Sequence, residues 1–262
     1  MNTLEQSMVK LLEDLKKNYG VVELKAEFET EAARMNELMR LKEIASCAGL
    51  GLVIKIGGPE AISNMFDTQH IGISGLIAPM IESPYAMTKY VEAVNKYFSE
   101  DLRKRIHFGV NIETFQGYQN IKKILNVKLI HLVDTITLGR VDMTGSMSLS
   151  RSDINSDQIY QIAVDMFTLA KKKGMRTTMG GGIAVEAIPF IKNLAAKKLL
   201  DRFETRKIVF NVPEKFTKTN KAIVKANEFE LLWLENKKNY YSSIYHEDDS
   251  RIEMLKKRVI SR

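Results

Sequence analysis

The sequence predicts an α/β fold, a closed (β/α)8 barrel of the TIM type, on three observations. Strand-like segments alternate with helical patterns at a spacing of about 25 to 35 residues, which is typical of parallel β/α units. The chain has 262 residues, 45% of them hydrophobic, which is enough for one large core. No GxGxxG motif follows the first strand, which counts against an open doubly wound sheet, the alternative architecture.

Seven segments have the β-branched and apolar composition of strands. In chain order they are residues 21–28, 52–56, 75–80, 106–112, 134–138, 175–179 and 201–210. Helical patterns over 31–48 and 157–173 lie between them, the second with Ser156 as a plausible N-cap and Gly174 just past its end.

The two ends of the chain predict helices outside the strand-helix rhythm. Residues 1–19 form an amphipathic pattern with acidic residues, unlike a signal peptide, and residues 226–262 change to FELLWLENKKNYYSSIY and a charged tail. We expect one barrel domain over 1–262, with a C-terminal extension that covers the barrel or is exchanged between subunits. No apolar run approaches the ~20 residues that cross a bilayer, so we expect a cytoplasmic protein without a membrane partner.

The net charge of +7 does not predict a nucleic-acid partner, because the basic residues are scattered among 32 acids. The clusters at 171–173 and 256–258 are not accompanied by any nucleic-acid-binding motif, and the first is placed to offset a helix dipole. Cys47 is the only cysteine, which excludes an internal disulfide, and we expect it to be buried.

Polar residues gather where the predicted strands end, which is where barrels of this kind carry their sites. They are Glu27, Glu29, Lys55, Glu82, Asn111, Glu113, Asp142 and the glycines at 180–182. Glu113 and Asp142 follow two adjacent strands that are strongly apolar. Two carboxylates so placed are suitable ligands for Mg²⁺ or Mn²⁺, which takes the rest of its shell from water and substrate oxygens.

The same residues resemble a known family. VNIET at 110–114 and GRVDMTGSM at 139–147 are similar to the paired acidic motif of the HpcH/HpaI aldolase and citrate lyase β-subunit family. GLIAPMIES at 75–83 is similar to the family's third-strand segment, and KIGG at 55–58 lies where the family has R-x-P or R-x-N. The resemblance extends over residues 20–210.

The resemblance implies a role for each matching position. Glu113 and Asp142 would hold the divalent metal, and Lys55 stands where the family arginine contacts a 2-oxo acid and stabilises its enolate. Asn111 would orient the oxo acid, while backbone N–H groups at Arg140 and Val141 would bind its carboxylate. A metal ion chelated by the substrate would act as a Lewis acid.

The chain departs from the family at the end of its first strand. The aldolase branch has D-x-E-H there, with a catalytic histidine, whereas this sequence reads LKAEFE and places Phe28 at that position. The four histidines match no family catalytic position, so we expect them to be structural. The general base must then be a carboxylate, a lysine or metal-bound water, and Glu27 is the best-placed candidate, followed by Glu29.

The glycines of MGGGIAVEAIP predict a second feature. Three glycines opening a helix would expose backbone N–H groups to a phosphate or carboxylate, which makes Gly181 and Gly182 candidate substrate-binding residues. A tight strand-to-helix turn explains the same residues equally well.

The predicted function is that of a class II, metal-dependent aldolase or carbon–carbon lyase acting on a pyruvate-like 2-oxo acid, with an aldehyde or thioester co-substrate. One alternative is a barrel that has lost catalysis and serves in ligand binding or as a scaffold, favoured by Phe28 and Lys55. Another is an acyl-CoA lyase of the citrate lyase β type. The resemblance also implies a homo-oligomer (dimer, trimer or hexamer) whose subunits exchange a C-terminal helix.

Overall fold

Eight strands form a closed barrel in the computed structural model, which describes residues 1–260. The strands are β1 (Val21–Glu27), β2 (Gly51–Lys55), β3 (Gly75–Ala78), β4 (His107–Ile112), β5 (Thr135–Gly139), β6 (Arg176–Gly180), β7 (Arg202–Glu204) and β8 (Ile208–Asn211). The predicted α/β barrel is confirmed.

Helices surround the barrel and connect most of its strands. They are α1 (Thr3–Tyr19), α2 (Met35–Cys47), α3 (Ile62–Ile71), α4 (Pro84–Tyr97), α5 (Glu100–Arg105), α6 (Phe115–Ile124), α7 (Arg140–Ser146), α8 (Asp157–Lys172), α9 (Ile188–Ala196) and α10 (Thr219–Ile260). The Ser156 side chain caps α8 as predicted, and Gly174 follows that helix with a φ of +73°. Cys47 is exposed at the end of α2, so the prediction of its burial is wrong.

The last strand runs against the others. Strands β1 to β7 are parallel, but β8 is antiparallel to both of its neighbours, β7 and β1. The prediction of one strand over 201–210 is wrong, since this segment is a β-hairpin. Thr205 closes its turn, accepting a hydrogen bond from the Ile208 N–H at its side-chain oxygen and donating its own N–H to the Ile208 carbonyl.

The barrel interior is unusually polar for this architecture, whose interior is normally filled by branched apolar side chains. On β1, Glu23, Lys25 and Glu27 alternate with Leu24 and Ala26. All five residues are buried, but only Leu24 and Ala26 belong to the hydrophobic core beneath the helices. The three charged side chains contact groups on other strands of the barrel.

Helix α10 has two parts that differ in burial. Its first part runs antiparallel to α1, with Lys225 paired to Asp14 at 3.0 Å and Asn236 bonded to Asn2 at 2.7 Å. Phe229 and Trp233 are buried in this contact, as are Ala222, Ile223 and Ala226. From Ser243 onward the described side chains are exposed, except the half-buried Met254. Within residues 1–260 no helix is both long and apolar enough to span a membrane.

Candidate active site

A cavity of about 520 Å³ lies at the carboxyl ends of the parallel strands. This is the end of a β/α barrel where catalytic groups are found. Of the predicted site residues, the cavity lining includes Glu27, Lys55, Asn111, Glu113, Val141, Asp142, Gly181 and Gly182. Glu29 also lines it, whereas Glu82 does not.

A chain of four charged side chains forms one wall of the cavity. Lys25 Nζ lies 2.6 Å from Glu204 Oε1 and 3.2 Å from Glu27 Oε1. The other oxygen of Glu27, Oε2, lies 3.0 Å from Lys55 Nζ. Since β1 pairs with β2 in a register that places Glu27 beside Lys55, the strand pairing itself brings these two residues together.

These four paired side chains determine the pKa values of Glu27 and Lys25. Burial favours the neutral form of Glu27, but Lys25 and Lys55 outweigh it and lower the pKa of this carboxyl to about 2. Burial alone would lower the pKa of Lys25, but Glu204 and Glu27 reverse the effect and raise it above its ordinary range. Glu27 is therefore a weak proton acceptor at neutral pH, which argues against its predicted role as the general base.

Glu113 is buried at the end of β4. Its Oε1 accepts a hydrogen bond from the Met80 N–H at 3.1 Å, and its Oε2 accepts one from Asn111 Nδ2 at 3.1 Å. Burial raises the pKa of Glu113, and the nearby carboxylate of Asp142 raises it further, against the opposing effects of Lys55 and Asn111. Gly139 makes room for this side chain, because a Cβ there would stand 2.4 Å from Glu113 Oε2.

These groups can accept a divalent cation. The described cavity lining contains six carboxylates and four cationic side chains, so its charge is negative overall. Asp142, in the first turn of α7, is exposed and raises the pKa of the buried Glu113, a repulsion that a cation between them would relieve. No group of three or more His, Cys, Asp or Glu side chains in residues 1–260 is arranged as a metal site. Two carboxylates alone suit Mg²⁺ or Mn²⁺, which retains water ligands.

The side chain of Arg140 has a structural role, which is separate from the role expected of its backbone N–H. Its side chain is fully buried, does not line the cavity, and donates hydrogen bonds to the carbonyls of Gly180, Gly181 and Gly182 and to Asn155 Oδ1. Burial lowers the pKa of this guanidinium to about 10. The Arg140 side chain thus fixes the loop after β6, which leaves only its backbone N–H for a substrate.

That backbone N–H lies beside a glycine that keeps space open. Gly181 has a φ of +76°, and a Cβ at this position would stand 2.7 Å from the backbone nitrogens of both Arg140 and Val141. Only glycine both tolerates this φ and leaves these two amides uncovered.

The three glycines do not open a helix, so that prediction is wrong. Gly181 and Gly182 both have positive φ, and a short 3-10 turn at Val185–Ala187 precedes α9, which begins at Ile188.

Sequence reasoning missed two residues of this site, Lys25 and Glu204. Both lie inside strands, where alternation could have shown that Lys25 shares a face with Glu23 and Glu27. Of the four histidines, His107 is bonded through Nε2 to Glu23 Oε1 at 2.9 Å, near the start of its strand and away from this cavity.

The fold and these groups define an α/β barrel with a carboxylate-rich site at the carboxyl ends of its parallel strands. The family model of the HpcH/HpaI aldolase/citrate lyase family matches residues 22–180, so the chain belongs to this family. No curated protein matches the sequence significantly.

Solved structures with the same fold support the architecture. An HpcH/HpaI aldolase from Desulfitobacterium hafniense DCB-2 is 14% identical with a TM-score of 0.61, over 78% of this chain and 82% of that one. A family protein from Burkholderia cenocepacia J2315 is 13% identical with a TM-score of 0.62, over 92% and 90%. A variant of the citrate synthase SbnG is 16% identical with a TM-score of 0.58, over 76% and 81%.

Proposed function

We propose that the chain is a metal-dependent carbon–carbon lyase or aldolase that works through the enolate of a 2-oxo acid. The observation that carries the proposal is the grouping of Glu113 and Asp142 with Lys55 around one cavity, beside the backbone amides of Arg140 and Val141 in the first turn of α7. Two carboxylates, one cation and two N–H donors are the groups that a chelated 2-oxo acid needs.

Glu113 and Asp142 would hold a Mg²⁺ or Mn²⁺ ion, which would supply Lewis-acid stabilisation of the enolate. The N–H groups of Arg140 and Val141 would bind the substrate carboxylate, and Asn111, already bonded to Glu113, would orient the oxo acid. The ammonium group of Lys55 would face the developing oxyanion. Because Glu27 holds this ammonium at 3.0 Å, its role is to position Lys55.

Glu29 replaces Glu27 as the proposed proton acceptor. Both oxygens of Glu27 are paired with lysines, whereas Glu29 is exposed at the cavity and forms no ion pair within residues 1–260. Its carboxylate lies over Gly57, where a Cβ would stand 2.5 Å from Glu29 Oε1. The half-buried Phe28 between these two acids offers no acid–base group.

The test is proton exchange. Pyruvate methyl protons should exchange with D₂O, measured by proton NMR, when protein and Mg²⁺ or Mn²⁺ are both present, and exchange should stop on chelation with EDTA. The Glu29→Gln variant should exchange slowly while it retains metal affinity. Failure of the wild-type protein to exchange with either metal would instead favour a ligand-binding or scaffold barrel, the alternative that Phe28 supports.

Exchange alone leaves the second substrate open. An aldehyde or a thioester remains the proposed co-substrate, and an acyl-CoA lyase of the citrate lyase β type remains the alternative within lyase chemistry. Assaying cleavage of 4-hydroxy-2-oxo acids beside cleavage of β-hydroxyacyl-CoA thioesters would distinguish these two reactions. A pyruvate product from the first and none from the second would assign an aldolase.

A further inference from the structure

A second cavity, of about 820 Å³, lies at the opposite end of the barrel, where the strands begin. It contains the first residues of β6 and β7, Arg176 and Arg202, together with the last residue of the antiparallel β8, Asn211. Lys171, Lys173 and His131 also line it, against two carboxylates, Asp134 and Asp201. The lining is therefore positively charged.

Contacts within the protein already occupy the nearby carboxylates. Asp134 Oδ2 accepts a hydrogen bond from the Phe108 N–H at 2.8 Å. Asp201 Oδ2 accepts one from the Thr177 N–H at 2.8 Å and pairs with Lys171 at 2.5 Å. Of these two carboxylates only Asp201 has a cationic partner, Lys171, and neither forms an ion pair with Arg176 or Arg202 within residues 1–260.

The two arginines differ in their partners. Arg202 pairs with the buried Glu23 at 2.7 Å, a carboxylate that also binds His107. Arg176 is half-buried, and its guanidinium has no hydrogen bond or ion pair within the described chain, residues 1–260. Burial lowers the pKa of Arg202, and the positive charge of Arg176 contributes to the lowering. A half-buried guanidinium close to a second guanidinium is unfavourable when it has no carboxylate partner. A bound anion would offset this unfavourable electrostatic energy.

We propose that this cavity binds the phosphate group of a small molecule, with Arg176 as its principal ligand. The planar guanidinium presents paired N–H donors that match two oxygens of a phosphate. Lys173 in the same lining, whose ammonium donates to Asn126 Oδ1 at 2.8 Å, adds a second positive charge. The volume is within the range of small-molecule pockets and far exceeds one phosphate ion, so the rest of the ligand also has room. The site is separate from the carboxylate-rich cavity, since it lies at the starts of the strands.

Isothermal titration calorimetry of the full chain with inorganic phosphate, at fixed ionic strength, tests the proposal. We expect saturable binding of one phosphate per chain, at least ten-fold weaker in Arg176→Gln and partly retained in Arg176→Lys. Lys173→Gln, a change at an exposed position that should leave the fold intact, should weaken binding several-fold. Glucose 6-phosphate is the second probe: tighter binding than phosphate indicates a phosphorylated metabolite, and equal affinity indicates the free ion.

Arg105→Gln is the matched control, because Arg105 is an exposed arginine paired with Asp101 and lies outside the cavity lining. It should bind phosphate as the wild type does. Absence of saturable binding would overturn the proposal, as would equal affinity in the wild type and Arg176→Gln. The same loss in Arg105→Gln would also overturn it, because the binding would then depend only on net charge.

Discussion

Lys25 Nζ and Glu204 Oε1 lie 2.6 Å apart across the barrel, although 179 positions separate the two residues in the chain. This pair closes the row of charges that continues through Glu27 to Lys55. Gly180 leaves room for it, because a Cβ there would stand 2.9 Å from Glu204 Oε1. One side of the candidate site is thus a row of alternating charges, in which each side chain is paired with a neighbour of opposite charge.

The first prediction concerns Glu27 and acid stability. Its pKa is about 2 in the folded chain against 4.5 as the ordinary value, so ionised Glu27 stabilises the fold above pH 4.5, and this contribution is lost as the pH falls toward 2. At neutral pH the shift corresponds to about 3 kcal/mol of unfolding free energy. Urea unfolding of wild type and Glu27→Gln at pH 7 and at pH 3 should show the difference falling to less than half.

Glu13→Gln, on the exposed side of α1, is the control for this experiment and should change stability little at either pH. A Glu27→Gln effect that stayed constant between these pH values would contradict the ion-pair explanation, since it would then come from packing alone.

The second prediction concerns the metal. Glu113→Gln or Asp142→Asn should abolish Mn²⁺ binding, because each removes one of the two carboxylates near each other in the cavity, while circular dichroism remains that of the wild type. Titration of free Mn²⁺ by electron paramagnetic resonance measures the affinity. Glu82→Gln is the control, since Glu82 is exposed and outside the cavity, and it should bind as wild type. Unchanged affinity in both site variants would remove the metal assignment.

The third prediction concerns Lys55. Lys55→Met should slow the exchange of pyruvate protons by at least a hundred-fold and alter Mn²⁺ affinity much less, because the lysine charge matters most when the oxyanion develops. Lys55→Arg should recover part of the rate, since it restores the charge and the family's residue type. Equal exchange rates in the wild type and Lys55→Met would assign Lys55 a purely structural role.

The fourth prediction concerns Gly181. Gly181→Ala should weaken pyruvate binding at least ten-fold, because the new methyl group would lie against the amides of Arg140 and Val141. Gly174→Ala is a matched control: its φ of +73° is nearly the same, but nothing lies within 4 Å of its Cβ position. Both variants should lose about 1 kcal/mol of stability from the positive φ, and Gly181→Ala should lose more, because its Cβ would stand 2.7 Å from two backbone nitrogens. Saturation-transfer NMR with pyruvate should separate them, and equal binding would count against a carboxylate site there.

The fifth prediction concerns assembly, and it sharpens the expectation that residues beyond 226 form an interface. Residues up to Asn236 pack on α1 of the same chain, so a truncation at 226 would expose the core. The arm over 243–260 is the segment to remove, because it carries exposed apolar side chains: Ile244, Tyr245, Ile252, Leu255 and Val259. We expect an oligomer for the full chain and a folded monomer after truncation at 243.

Sedimentation equilibrium at micromolar concentration measures both species. The double variant Ile252→Glu/Val259→Glu should shift the full chain toward the monomer without shortening it, since charges on the apolar side of the arm oppose its burial. A full chain that sediments at 29.8 kDa would contradict the prediction.

The sequence predicts the parallel part of this barrel well because each unit there has its own local signals. The α8 segment has a serine cap, an apolar periodicity and a terminal glycine, and the structure follows all three. The β7–β8 hairpin has no glycine or proline at its turn, so a single strand over 201–210 was the natural prediction. The pairing of Lys25 with Glu204 depends on barrel closure, which no local pattern encodes.

The inverted direction of β8 determines where the last helix goes. β8 ends at Asn211, at the end of the barrel where the parallel strands begin. Helix α10 therefore runs along the full height of the barrel, and its residues Asn227 and Glu230 lie at the rim of the cavity. Its last 19 residues then extend about 28 Å beyond Tyr241, which donates a hydrogen bond to Glu37 at the start of α2. A parallel eighth strand would start this helix from the other end of the barrel, so the reversal of four residues places the arm at the end of the barrel that carries the candidate site.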